Sequence, residues 1–266
     1  MRYFAHISYL GVNYCGWQRQ PNHKTVQQTI EEALQRLLKI PVICIGCGRT
    51  DSGVHALQYF FHFDVKSEIP DDFLLKINKM LPDDIAIHHL YKTDSSNHAQ
   101  FSVVERTYEY FIHISKNPYL NLISAYYPFQ LNVAQMQKAV MLLPRYTNYF
   151  QFCKAPNRVD DYHCNVKEAK LYISKNENRI RFKITANRFI AAMNRIIVHR
   201  LLEVGRGKLS VEEFEHMLSN SAEPKVIRQA YPQGLHLTRV IYPFLNLPPA
   251  DFHILNENEY FWAELE

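Results

Sequence analysis

Between Arg2 and Tyr91 the chain alternates two hydrophobic periods, and the order in which it does so permits few folds. Residues 2–10 read as a strand. Thr25 and Gln28 form a capping box ahead of apolar residues at 26, 30, 33, 34, 37 and 38, the spacing of a helix with one buried face. Pro41 ends that helix and opens an apolar run to Cys47 that predicts a buried strand, and Gln58 to Val65 predicts another. Pro70-Asp71-Asp72 starts a second helix with Phe73, Leu74, Ile77, Met80 and Leu81 inward, and Ile85 to Tyr91 returns to strand. Strand, helix, strand, strand, helix, strand is the split βαβ pattern of ferredoxin-like α+β domains.

The second half repeats these elements more loosely. Arg106 to Ile114 alternates as a strand, with Tyr108, Tyr110, Ile112 and Ile114 on one face. A helix capped near Asn132 follows, then strands at about 165–174 and 179–187 around the turn Lys175-Asn176-Glu177-Asn178. A long helix is expected from Phe189 to Val204, a short one capped by Ser210 and Glu213, and a last strand from Leu235 to Tyr242. The expected architecture is two α+β domains, 1–105 and 106–266, sharing one sheet or one cleft.

Composition narrows the function. No uninterrupted apolar stretch is long enough to span a bilayer, and the N-terminus opens directly into a strand without a signal-peptide pattern, so a cytoplasmic protein is expected. Five cysteines in 266 residues make no disulfide framework. Cys44 and Cys47 form one CxxC at a strand end, where a zinc ribbon would need a second pair, and no metal site is expected. A formal charge of +4 permits nucleic-acid binding without diagnosing it. Arginines beside aromatics and amides, as in Trp17-Gln18-Arg19-Gln20, are a mixture suited to stacking on bases and pairing with phosphates.

Between the two predicted strands lies Gly48-Arg49-Thr50-Asp51-Ser52-Gly53-Val54-His55-Ala56. Its glycines allow a tight turn and close approach to a ligand. On local spacing alone, Asp51 reads as a turn aspartate bonding its own backbone. The nine residues resemble the catalytic loop GRTDAGVHA of the A-type (TruA-like) tRNA pseudouridine synthases. Four more segments match that family in order: Gly16-Trp17-Gln18-Arg19-Gln20, the strand at Arg106-Thr107-Tyr108-Glu109-Tyr110, Asn187-Arg188-Phe189 with Met193-Asn194-Arg195, and Gly234-Leu235-His236-Leu237. The resemblance covers essentially the whole chain.

It implies a pseudouridine synthase fold, with two ferredoxin-like α+β halves and mixed or antiparallel sheets flanking a central basic catalytic cleft. It also implies isomerisation of uridine to pseudouridine in the tRNA anticodon stem-loop, at positions 38–40, by a cytoplasmic homodimer. The reaction involves neither redox change nor hydrolysis, so no cofactor is expected. By motif position Asp51 is the catalytic aspartate, acting as nucleophile or as base and electrostatic partner. Arg49 matches an arginine that helps expel the target nucleotide, Tyr108 the active-site tyrosine that stacks on the flipped uracil, Arg195 the arginine that pairs with the aspartate, and Leu235 a residue lining the pocket. Trp17, Gln18, Arg19 and His55 are candidate RNA contacts. Ser52, Cys164, Ile196 and His199-Arg200 depart from the family pattern and bear on substrate contacts. The alternatives are an RNA-binding or RNA-folding protein of the same fold that has lost catalysis, and a glycosylase, which would want a second carboxylate.

Overall fold

The computed structural model describes residues 1–155, 160–176, 178–219, 227–245, 247 and 262–265. The first part of the chain forms β1 (Arg2–Tyr9), α1 (Val26–Leu38), β2 (Ile45–Gly46), β3 (His55–Asp64), α2 (Phe73–Met80) and β4 (Ile85–Thr93). The rest forms β5 (Glu105–His113), β6 (Ala125–Tyr126), α3 (Val133–Val140), β7 (Val166–Ser174), β8 (Arg179–Ala186), α4 (Met193–Gly205), α5 (Val211–Ser219), β9 (Leu235–Ile241) and β10 (Trp262–Glu264). Glu177 of the expected turn lies outside the described residues. Among the described residues, no helix is long and apolar enough to cross a membrane.

Contacts divide the chain into two units, with the first break after Val104. From His236 the chain rejoins the first unit, a return that a single division at 105 does not contain. Its cause is parallel pairing of His236 and Leu237 with His55 and Ala56 at the start of β3, reinforced by the Val240 N–H donating to Gln58 Oε1 at 2.8 Å.

Within the first unit β1 lies between β3 and β4, and β3 carries β2 on its far edge, all antiparallel. The order β4–β1–β3–β2 is the split βαβ arrangement expected from the hydrophobic periods. β3 is buried over nine of its ten residues because both its faces are covered. On one, Trp17 packs on Tyr59 and Phe61; on the other, Phe60 and Phe4 meet Tyr242 edge-on. Thr25 caps α1 by accepting the Gln28 N–H (3.3 Å), while the Gln28 side chain bonds Glu32 and leaves the capping box half-made.

Two expectations fail here. Only Ile45 and Gly46 of the run after Pro41 pair as strand, because the Cys44 N–H and carbonyl bond Glu31 and Gln27 of α1 instead, and Ile43 is 75% exposed while Val42 and Cys44 are buried. The inner face of α2 is narrower than expected. Phe73 and Ile77 are buried, but Met80 at the helix end is exposed.

In the second unit β10, β7, β8 and β5 form an antiparallel run, with β6 parallel to β5. Tyr110, Phe182 and Leu171 pair across one buried face, while Glu109, Lys183, Lys170 and Arg181 occupy the other. Arg181 lies 3.5 Å from Glu109 and places its guanidinium 4.1 Å above the Tyr172 ring. α3 and α4 meet at Gly205, where a Cβ would sit 2.6 Å from Met136 Sδ. Ser210 and Glu213 form the full reciprocal box at α5. α4 starts at Met193 rather than Phe189, because Ala192 turns left-handed at φ +58° and the residues before it bond elsewhere. Such a conformation costs a non-glycine residue about 1 kcal/mol.

Candidate active site

The turn between β2 and β3 has to bend among tightly packed rings. The Val54 N–H donates to the Asp51 carbonyl (3.2 Å), and Gly53 takes φ +77°, which glycine adopts freely. Side chains from the neighbouring strands then hold its backbone. The Tyr59 hydroxyl donates to the Gly48 carbonyl at 2.6 Å, and the Tyr9 and Thr50 hydroxyls share a buried 2.9 Å bond. Burial pushes the Tyr59 phenol well up, so it remains a donor.

The loop Gly11–Gln20 forms the other wall. The Gly53 N–H and the Ser52 hydroxyl both donate to the Tyr14 carbonyl (3.2 and 3.3 Å), and the Trp17 N–H faces the Thr50 carbonyl at 3.4 Å. Apart from the Ser52 hydroxyl, these are contacts of backbone with backbone. At Gly16, with φ +80°, a Cβ would lie 2.2 Å from the Thr50 oxygen. At Gly11 it would lie 1.9 Å from the Val54 oxygen. The Tyr14 hydroxyl in turn donates to Asp84, and burial with that bond raises its pKa. The frame leaves Arg49 and Ser52 exposed and Asp51 half-buried.

Trp17 and His55, candidate RNA contacts on sequence, have structural places instead. The Trp17 ring is 3% exposed and stacks 4.3 Å from Tyr59, where an indole fills the space left by Gly46. His55 is fully buried, lies 4.5 Å from the His236 ring, and accepts the Gly11 N–H at Nδ1. Neither ring offers a face for stacking. Gln18 and Arg19 are exposed, and Arg19 is anchored by a 2.9 Å bond to Glu31. The buried Glu31 carboxylate is held by two further donors, the Gln27 amide (2.9 Å) and the Cys44 N–H (3.0 Å). Cys44 and Cys47 are buried free thiols, and burial pushes the Cys44 thiol up, away from thiolate chemistry. Among the described residues, no group of three or more His, Cys, Asp or Glu is placed to hold a metal ion.

In the second unit Tyr108 is 9% exposed and meets Phe189 edge-on, ring centres 5.1 Å apart. Tyr110, two residues along the same face, donates to the Tyr231 carbonyl (2.8 Å), and a Cβ at Gly234 would sit 2.6 Å from its Cζ. Arg195, in the first turn of α4, is bonded twice to one residue. Its Nε donates to the Ala230 carbonyl and its carbonyl accepts the Ala230 N–H, both at 2.9 Å. Leu235, 6% exposed, follows Gly234 directly. The segment Ala230–Leu235 therefore ties together Arg195, Tyr110 and Leu235, one pleat from Tyr108.

Sequence reasoning did not single out Tyr9, Tyr14, Tyr59, Glu31, Tyr110 or Ala230. The visible signal for the first three was Gly11 and Gly16 in a tyrosine-rich stretch, since glycines outside a turn motif mark close backbone approach. The departures are also accommodated. The Ser52 hydroxyl bonds Tyr14, His199 and Arg200 both face Glu203 (3.5 and 2.6 Å), Ile196 is buried, and Cys164 is a buried thiol pushed up to about 11 mainly by burial.

A family model described as tRNA pseudouridine synthase matches residues 5–102 and 147–243, which include Arg49, Asp51, Arg195 and Leu235. Proteins named tRNA pseudouridine synthase A are similar over nearly their full length. That of Porphyromonas gingivalis is 36% identical over 245 residues, covering 91% of this chain and 97% of the relative. That of Parabacteroides distasonis is 36% identical over 94% of this chain and 99% of the relative, and that of Caldicellulosiruptor bescii is 38% identical over 89% and 97%. The loop that fixes Asp51 and the segment that fixes Arg195 both lie inside the matched residues, and the chain belongs to the tRNA pseudouridine synthase family.

Proposed function

We propose that this chain isomerises uridine to pseudouridine in tRNA, with Asp51 as the catalytic carboxylate and the anticodon stem-loop, positions 38–40, as its target. The observation that carries the reading is the framed loop, which presents an exposed guanidinium and a half-buried carboxylate two residues apart. In the reaction the C1′–N1 bond breaks, the uracil turns while held, and a C1′–C5 bond forms. The C5 hydrogen leaves as a proton and N1 ends protonated, so atoms and electrons balance without an external oxidant or reductant. Asp51 serves by attacking C1′ or by removing a proton from the sugar.

Arg49 stacks on or binds phosphate beside the vacated position, offsetting the few kcal/mol that unstacking a nucleotide costs. Tyr108 packs on the displaced uracil, Leu235 closes the apolar side of the pocket, and Arg195 is the electrostatic partner of Asp51. Gln18 and Arg19 contact RNA, whereas Trp17 and His55 hold the frame. The protein works as a cytoplasmic homodimer.

The test uses tRNA carrying tritium at C5 of uridine. Wild-type protein releases tritium, and Asp51→Asn releases none while binding tRNA within a few-fold of wild type, since phosphate and shape contacts dominate affinity. Normal turnover by Asp51→Asn removes the aspartate from the mechanism. Recovery of free uracil makes the protein a glycosylase instead.

A further inference from the structure

The turn that carries Asp51 rests against the loop Gly11–Gln20, and that loop is held from behind by Asp84. Pro82-Asp83-Asp84 reverses the chain between α2 and β4, closed by the Ile85 N–H donating to the Pro82 carbonyl at 3.0 Å. An aspartate in such a turn ordinarily bonds its own backbone. Here the pairing of β4 with β1, in which Ile85 faces Tyr9, brings Asp84 beside Leu10 instead.

Asp84 then gathers donors from the stretch Leu10 to Tyr14. Its carbonyl accepts the Leu10 N–H (2.9 Å), one carboxylate oxygen accepts the Asn13 amide (3.0 Å), and the other accepts the Tyr14 hydroxyl. The two side chains differ in burial. Asn13 is exposed, whereas Tyr14 is 2% exposed and carries Lys24 Nζ 4.8 Å from its ring centre. Burial, with Asp84 beside it, pushes the Tyr14 phenol up, so the hydroxyl keeps its proton and remains a donor. A bond from such a donor to a carboxylate is among the stronger kinds. At its backbone Tyr14 touches the turn directly, its carbonyl accepting the Gly53 N–H and the Ser52 hydroxyl. Little slack separates loop from turn. Gly11 and Gly16 lie where a Cβ would meet the Val54 and Thr50 oxygens, and the Gly11 N–H donates to His55 Nδ1 at 3.1 Å.

We infer that Asp84 is a positioning residue for the isomerisation: through Tyr14 it sets where Ser52 and Gly53 stand, and so where the Asp51 carboxylate is presented. Asp84 itself takes no part in the bond making and breaking. Because its hold runs through one buried ring and one carbonyl, a shift of Tyr14 passes to the turn rather than being absorbed. A misplacement of about 1 Å at a reacting group can cost roughly a hundred-fold in rate. The inference rests on the reading of Asp51 as the reacting carboxylate, and adds to it the residue that holds its turn from outside.

Tyr14→Phe removes one oxygen from the buried ring, and Asp84→Ala removes both side-chain bonds. In tritium release Tyr14→Phe is expected to lower kcat about tenfold and Asp84→Ala about a hundred-fold, each with KM for tRNA within about two-fold of wild type. Adding Tyr14→Phe to Asp84→Ala lowers kcat no further, because the bond is already gone. Asp84→Asn keeps an oxygen for the phenol, and the exposed Asn13 amide turns to accept its NH₂, so most of kcat returns. Asn78→Ala is the comparison for stability alone. It removes two bonds between α2 and Ile87 of β4 (2.7 and 2.9 Å) and leaves Leu10–Gly16 untouched, so urea unfolding moves while kcat stays. Hydrogen exchange of the peptide spanning 48–54 is expected to quicken in Asp84→Ala and Tyr14→Phe but not in Asn78→Ala, since the Gly53 N–H loses its fixed acceptor. Wild-type kcat in both Asp84→Ala and Tyr14→Phe overturns the inference, as do additive losses in the double variant or an equal fall of kcat in Asn78→Ala. Should Asp84→Ala fail to fold, Tyr14→Phe and Asp84→Asn carry the test. A wild-type protein that releases no tritium sinks the isomerase reading alone, and exchange of 48–54 then decides whether Asp84 holds the turn.

Discussion

The two segments that carry the proposed chemistry are held in different ways. Gly48–Val54 is fixed by side chains and loops from other elements: hydroxyls of Tyr9 and Tyr59, the Tyr14 carbonyl, and two glycines whose missing Cβ atoms let another loop touch it. Ala230–Leu235 is fixed at fewer points: Ala230 exchanges two bonds with Arg195, one of them from the guanidinium Nε, and the Tyr110 phenol bonds the Tyr231 carbonyl. The first is therefore sensitive at positions far from Asp51 in sequence. The second concentrates its sensitivity at Gly234 and Tyr110.

The largest break in this comparison is expected from Gly16→Ala. Its methyl would meet the Thr50 carbonyl, and φ +80° is strained for alanine, so the loop has to move or the protein lose at least about 2 kcal/mol. Urea unfolding should register that loss, and tritium release should fall at least a hundred-fold with tRNA affinity within a few-fold. Wild-type rates would separate the frame from catalysis. Gly234→Ala is milder: its methyl meets the buried Tyr110 ring at 2.6 Å and the Phe111 carbonyl at 2.9 Å, less closely than a methyl at Gly16 meets Thr50, and no left-handed φ adds strain. A cost of about 1–2 kcal/mol is expected, with a rise in KM exceeding the fall in kcat. Equal damage from both glycine changes would erase the distinction between the two frames.

Tyr59→Phe removes only the bond to the Gly48 carbonyl and should cost about 1 kcal/mol in urea unfolding. If its kcat falls with KM unchanged, the hydroxyl positions the loop for chemistry; a change in stability alone makes it merely a staple. The smallest effect is with pH. Burial chiefly pushes His6 and His62, both on the first unit's sheet, down to about 4. The unfolded chain binds their protons near pH 6.5 and the folded one does not, so their contribution is complete above 6.5 and declines as pH falls toward 4. Melting temperatures across that window should fall with acid. His62→Gln, which keeps an acceptor for the Ala99 N–H, should flatten the slope.

The elements legible in the sequence were those with strong period and local caps: β1, α1 and its Thr25 cap, β5, and the Ser210–Glu213 box of α5. The run after Pro41 was misread because its composition is apolar throughout while the fold exposes alternate residues. The start of α4 was misread because nothing in Phe189-Ile190-Ala191-Ala192 marks a left-handed alanine. In the candidate site, the glycines around Arg49 and Asp51 announced a turn, yet the turn's supports were invisible. A buried tyrosine whose hydroxyl caps a carbonyl looks, in sequence, like any other strand tyrosine. Trp17 and His55 show the converse: side chains able to bind a base spend that capacity on packing, and composition cannot tell the two uses apart.

The return of the chain to β3 at His236 also bears on biosynthesis. His55 and Ala56 gain their parallel neighbour only after about 180 further residues have been made, which at 5–20 residues per second takes roughly 10–40 s. Through that interval a nascent strand that ends up buried on both faces keeps part of its edge open, the condition under which strands recruit wrong partners. The ribosome thus releases a first unit that must wait for its last strand, and a chaperone bound over that interval would protect the very edge that later anchors the turn carrying Asp51.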